Sequence, residues 1–219
     1  MLTLYGHPFS RAHRVLWMLK ELNLEFEHVP TGFQDGGCKT PAFLAINPNG
    51  RVPVLVDDGQ AIFESLAINL HLVHKFAGPL SPATPWETSL SLQWSFWVVT
   101  EIEKPLLFAA ANLALFETAS RRDDELQLAL QRLARPFAVL NAHLARQPFL
   151  LGDRFSVADL NVAAVMTLVA IAQVPLDAYP ALQRWFWLLM ERPAAADWKP
   201  IHFTVPRPTQ PLGLLAMFL

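Results

Sequence analysis

Ser10 closes the stretch HPFS and stands where a first loop enters a first helix, behind the apolar run LTLY and ahead of RAHRVLWML. A hydroxyl at that point has two uses, and both need the same location. It can cap free amides at the helix start, or it can donate a hydrogen bond to a thiolate, an anion that the helix N-terminal dipole also favours. His7, three residues earlier, is either an ordinary turn histidine or a base or ligand contact.

Val52-Pro53 lies between the turn NPNG and the apolar run VLV. A proline there cannot donate to a sheet ladder, so it begins the strand or sits in a cis turn. In the second case the Val52 amide and carbonyl face outward, where an extended peptide can pair with them like an added strand. Glu64-Ser65 directly precedes a helical stretch. The pair either caps that helix or holds a ligand, with the helix amides and the Ser65 hydroxyl on a carboxylate and Glu64 on an ammonium group. Lys39 and Arg51 are loop cations; if a peptide lies along residues 51–53, either can reach its far carboxylate.

These residues need a scaffold, and the hydrophobic pattern supplies one. Leu2–Tyr5 reads as a buried strand, Ser10–Leu22 as an amphipathic helix with Val15, Leu16, Leu19 and Leu22 on one side, and Glu25–Val29 as a second strand. A short helix over Pro41–Ala45 follows a loop at 30–40. Then come a strand over Val52–Val56, a turn at Asp57-Asp58-Gly59, a partner strand over Ala61–Phe63 and a helix from 66 to 76. The order is that of a thioredoxin-like layout with a mixed sheet. GPLSPATPW, residues 78–86, gathers four prolines and glycines in nine positions and marks a linker. The expected organisation is therefore a first domain over 1–77, the linker, and an all-helical domain over 87–219 with a hydrophobic pocket.

Helical stretches in the second half run at about 86–117, 122–146, 156–172 and 179–191. Leu126, Leu130, Leu133, Phe137, Leu140 and Leu144 repeat at the spacing a coiled coil would use, and ordinary bundle packing explains it better. Ser156-Val157-Ala158-Asp159 has the form of a capping box, so Asp159 is structural. Trp94, Phe96, Trp97 and Phe108 read mainly as helix core, with Trp97 able to wall a second-substrate pocket if it faces the first domain. The tail from 200 to 219, with four prolines and then GLLAMFL, reads as a strap.

Of the 219 residues, 53% are hydrophobic and 16% charged, which describes a chain able to bury a large core and excludes a disordered one. Formal net charge is −2 with no basic cluster, which argues against a nucleic-acid partner. No secretory signal opens the sequence, and Val162–Val174 falls short of the ~20 residues a membrane helix takes. The single cysteine, Cys38 in QDGGCKTP, cannot form an internal disulfide and fits a cytosolic location. It has no CxxC partner that would mark it as reactive.

Five blocks in register, LTLYGHPFSRAHRVLWML, NPNGRVPVL, IFESLAI, FLLGDRFSVADL and YPALQRWFWLLMERPA, resemble the cytosolic glutathione transferase family over residues 2 to about 196. The resemblance implies a thioredoxin-like N-terminal domain with a C-terminal helical bundle and glutathione as co-substrate. Residue by residue, Ser10 resembles the hydroxyl that stabilises the glutathione thiolate in phi-like and many bacterial members. Val52, ahead of cis Pro53, resembles the residue whose backbone pairs with the cysteinyl part. Glu64 and Ser65 resemble the pair holding the γ-glutamyl end, and Lys39 and Arg51 are candidates for the glycine carboxylate. Arg14 fits the usual first-helix arginine.

The loop then lacks a thiol because the co-substrate brings one. HPFS stands where thiol-exchanging relatives carry CPFC, so reductase chemistry through a protein mixed disulfide is disfavoured. The implied activity is attack of the glutathione thiolate on an electrophilic, largely apolar small molecule. Alternatives are peroxide reduction, isomerisation or dehalogenation at the same site, or a non-catalytic binding module. Homodimers are the implied assembly, with no nucleic-acid or membrane partner.

Overall fold

The computed structural model describes residues 1–32, 34–114, 121–172 and 174–197. The chain divides into two compact units, one spanning Met1–Ser81 and a second beginning at Pro82. The expected strap over 200–219 and the last residues of the 86–117 helix lie outside the described residues.

In the first unit the elements run β1 (Leu2–Tyr5), α1 (Ala12–Glu21), β2 (Glu27–Val29), a 3-10 turn (Gln34–Lys39), α2 (Pro41–Ile46), β3 (Val54–Asp57), β4 (Gln60–Phe63) and α3 (Ser65–Lys75). The sheet order is β2-β1-β3-β4. β1 runs parallel to β2, across the α1 crossover, and antiparallel to β3, which pairs with β4 as a hairpin. Leu4 and Leu55 meet in register and are fully buried, together with Trp17, Leu19, Ile68 and Leu72 from α1 and α3. Each such side chain contributes about 1.5–3 kcal/mol by leaving water.

β2 starts at Glu27 rather than Glu25, and the bounds of β3 and β4 differ from the expectation for identifiable reasons. β3 starts at Val54 rather than Val52 because the Val52–Pro53 peptide is cis and Pro53 has no N–H to pair. The hairpin turn is two residues long, with Asp57 already paired to Gln60. Asp58 (φ 48°) and Gly59 (φ 83°) both lie in the left-handed region, as a type I′ turn requires.

In the second unit the expected first helix is three segments: α4 (Pro85–Trp97), a π-helical turn (Val98–Glu103) and α5 (Lys104–Ala114). α6 (Asp123–Leu144), α7 (Val157–Met166), α8 (Leu168–Ile171) and α9 (Pro180–Met190) follow. Of the expected repeat, Leu126, Leu133, Phe137, Leu140 and Leu144 are buried and Leu130 is half-buried; with Ala129 and Pro136 the buried stripe faces α5 and α9 within the chain, so the repeat is bundle packing. Every residue of α7 is buried. Among the described residues no helix is long and apolar enough to cross a membrane.

Starts of helices follow their caps. Thr84 accepts from the Glu87 amide ahead of Pro85, and Thr40 accepts from the Phe43 amide ahead of Pro41. At α7 the capping box is complete. The Asp159 carboxylate takes donors from the Ser156 amide, the Ser156 hydroxyl, the Leu150 amide and the Trp185 indole. Burial nonetheless pushes this carboxyl up to about 6, against those four donors.

Candidate functional site

Gly6 ends β1 at φ +147°, a conformation side chains rarely adopt. A Cβ on it would lie 2.6 Å from the Ala12 Cβ and 3.3 Å from the Val52 Cβ. The missing side chain therefore lets three pieces converge: the end of β1, the start of α1 and the cis-proline turn.

Ser10 is 1% exposed. Its hydroxyl donates to the His7 carbonyl at 2.7 Å and accepts from the Ala12 amide at 3.1 Å. α1 begins two residues later than expected, because residues 8–11 form turns rather than helix. The serine thus satisfies an amide at the helix entrance, while its proton is engaged by a carbonyl. His7 is half-buried, stacks against the exposed Phe9 ring at 5.3 Å, and accepts the Phe9 amide proton on Nδ1.

The turn leading to Val52 is organised by Asn47, which is 1% exposed. Its Nδ2 donates to the Arg51 carbonyl at 2.8 Å, and its Oδ1 accepts from the Asn49 amide at 3.1 Å. Gly50, at φ +58°, leaves room for the Lys39 ammonium, which donates to the Gly50 carbonyl at 3.2 Å. Lys39 and Arg51 are both exposed, so two cations flank this turn. Among the described residues, no hydrogen bond engages the Val52 backbone or the Arg51 guanidinium.

Glu64 is a non-glycine residue at φ +74° and ψ 110°. That backbone costs about 1–3 kcal/mol and persists only where the surroundings enforce it. Its carbonyl accepts the first intrahelical bond of α3, from the Ile68 amide, while its side chain is exposed and uncommitted among the described residues. Ser65 is buried and accepts from the Arg14 guanidinium at 3.4 Å, and Asn69 donates back to the Arg14 carbonyl at 3.2 Å. This double contact holds the start of α3 in register with α1.

Cys38 does not join the site. It is fully buried, its thiol donates to the Gly32 carbonyl at 3.1 Å, and burial raises its pKa despite the nearby Lys39 charge.

Residues 1–74 match the family model described as glutathione S-transferase, N-terminal domain, and residues 104–193 match glutathione S-transferase, C-terminal domain. The chain belongs to the glutathione S-transferase family. It is 33% identical to glutathione S-transferase 3 of Zea mays, over 88% of this chain and 90% of that protein. It is 32% identical to the disulfide-bond oxidoreductase YfcG of Escherichia coli, over 90% of this chain and 94% of that protein. Among solved structures it superposes on the theta class glutathione S-transferase of Xanthomonas axonopodis pv. citri with glutathione bound. That match has a TM-score of 0.83 at 27% identity, covering 94% of this chain and 99% of the other.

Within the transferase fold, the sequence reading located the outward-facing residues better than the ones that orient them. Asn47 was read only as part of a turn, and Asn69 was not singled out; the NPNG motif and an asparagine on an apolar helix are the signals that point to them. In the helical unit Trp94 is core, whereas Phe96 is 67% exposed and Trp97 and Phe108 are half-buried, so helix packing does not explain the whole aromatic set. A cleft of about 600 Å³ is bounded by Glu101 on the π turn, by Lys104, Pro105 and Phe108 on α5, and by Leu128 and Arg132 on α6.

Proposed function

We propose that this transferase binds glutathione on its first unit and presents the sulfur, as a thiolate, to an electrophilic and largely apolar small molecule. The observation that carries the reading is the convergence at Gly6 of an α1 entrance with a cis Val52–Pro53 turn whose valine backbone is uncommitted. An extended peptide paired with Val52 would lie beside the start of α1, where the dipole and the Ser10 hydroxyl favour a negative sulfur. Glu64 and Ser65, at the start of α3, are assigned the γ-glutamyl end; Lys39 and Arg51 are assigned the glycine carboxylate.

Ser10 then acts as the thiolate-stabilising hydroxyl of a serine-type enzyme. On binding, its proton turns from the His7 carbonyl to the sulfur while Oγ keeps the Ala12 amide. The electrophile's apolar body is assigned to the helical unit, whose cleft has a size typical of small-molecule sites. A cytosolic homodimer is part of the same reading.

The direct test is calorimetric titration with glutathione together with turnover of an aryl halide. Wild-type protein should bind and turn over. Ser10→Ala should bind within about threefold of wild type and lose about tenfold or more in turnover, the scale of one transition-state hydrogen-bond donor. An unchanged rate would remove Ser10 from the chemistry, and absent heat in wild type would sink the binding reading. A second reading, the same thiolate attacking a disulfide, is favoured by the likeness to YfcG, and a substrate panel containing a mixed disulfide separates the two.

A further inference from the structure

In the loop between β1 and α1, the carbonyls of Gly6, His7, Ser10 and Arg11 are occupied from inside the protein. The Gly6 carbonyl accepts from His28 Nε2 at 2.8 Å. The His7 carbonyl accepts from the Ser10 amide at 2.9 Å and from its hydroxyl at 2.7 Å. The Ser10 carbonyl accepts from the His13 amide at 3.0 Å and its Nδ1 at 2.9 Å. The amides of Gly6, Phe9, Ser10 and Ala12 are engaged as well, so a ligand's anion must find its donors among the side chains.

His7 is the side chain left with a donor to give. The Phe9 amide points its hydrogen at Nδ1 from 3.2 Å, so Nδ1 is the acceptor and the ring N–H lies on Nε2. Among the described residues Nε2 has no partner, and the ring is half-buried. By contrast Ser10 as a residue is 1% exposed and its hydroxyl gives its proton to the His7 carbonyl, so it must break that bond to serve a ligand.

We propose that His7 is a second catalytic residue of this transferase, donating its Nε2 hydrogen to the thiolate of bound glutathione alongside Ser10. The inference rests on the reading that glutathione binds here with its sulfur at the α1 entrance. No covalent change at the histidine is involved. The S–H proton leaves to water, His7 keeps its own proton, and the Nε2–H bond stabilises the charge left on sulfur. The other basic groups around the loop are Arg11 in the turn ahead of α1, His13 and Arg14 on α1, and His28 on β2.

The experiment is a pH titration of the ultraviolet thiolate band of the glutathione complex, with calorimetry and melting curves alongside. His7→Leu should raise the midpoint of thiolate formation by about one unit, which is about a tenfold loss of thiolate at a fixed pH below the midpoint, with affinity within about threefold of wild type. His7→Gln, which carries an N–H at similar reach, should recover at least half of the shift. A purely structural histidine would lower the melting temperature and leave the midpoint of the folded complex alone. If His7→Leu does not fold, His7→Phe, which keeps the stacking on Phe9, takes its place. An unmoved midpoint in a variant that still binds overturns the role of His7 alone. Failure of wild type to bind glutathione overturns the underlying reading and this inference with it.

Discussion

At the scale of single residues, two buried carboxylates of the scaffold, Asp57 and Asp159, give opposite pH signatures. Burial works against ionisation of Asp57, but hydrogen bonds from Lys75 at 2.6 Å and His71 at 2.7 Å outweigh it and hold its pKa below the usual value. Its contribution to stability is complete above the unfolded value of ~4 and is lost as pH falls through the lower folded value. Asp159 is the reverse case, with a folded pKa of about 6. Between about pH 4 and 6 the folded state holds a proton there that the unfolded chain has released, so this group's contribution falls as pH rises through that window. Urea midpoints from pH 3 to 7 check both signs. Asp57→Asn should lower stability at pH 7 by about 1–3 kcal/mol and flatten the acid limb. Asp159→Asn should remove the slope between pH 4 and 6. An acid limb in Asp57→Asn as steep as in wild type would contradict the Asp57 assignment.

At the scale of elements, the positive φ of Glu64 separates what the fold needs from what the site needs. The α3 entrance keeps a glutamate where glycine would be relaxed. Glu64→Gly should leave the melting temperature unchanged or raise it by relieving that backbone, while weakening glutathione binding by about tenfold through loss of the carboxylate. Equal loss of stability and binding would mean that Glu64 is structural. Gly6→Ala should do the opposite of a relief. Its Cβ would sit 2.6 Å from the Ala12 Cβ, so stability should fall by about 1–3 kcal/mol, read from a denaturant midpoint. A neutral Gly6→Ala would mean the three elements need no such approach.

Elements were legible where one local signal decided them. The apolar run of β1, the Asp58-Gly59 turn and the Ser156/Asp159 box each specify their structure over a few residues. The α1 start was misplaced because a serine ahead of an amphipathic stretch reads as a cap, whereas the turn at residues 8–11 sets its hydroxyl on Ala12 from one residue outside the helix boundary. The break of the 86–117 helix into α4, a π turn and α5 is announced only by Pro105 in the first turn of α5, which has no N–H for the Glu101 carbonyl on the π turn. A proline that close to a helical junction marks a disturbance without saying which form it takes.

At the scale of the molecule, composition and periodicity were enough to separate a mixed-sheet unit from a helical one, since strands alternate or run short and helices repeat every three to four residues. What they could not supply was the direction of each polar atom. Ser10 is a serine in the expected place, but its burial and the turn of its proton onto the His7 carbonyl are visible only in the structure.

The central claim, that a borrowed sulfur is held as a thiolate at this entrance, is tested most directly by a crystal structure of the protein with glutathione bound. The expected result is a sulfur within about 3.5 Å of the Ser10 hydroxyl, with the cysteinyl backbone paired to Val52 and the γ-glutamyl carboxylate at the start of α3. A tripeptide bound elsewhere, or bound along Val52 with its sulfur turned away from both Ser10 and His7, would contradict it.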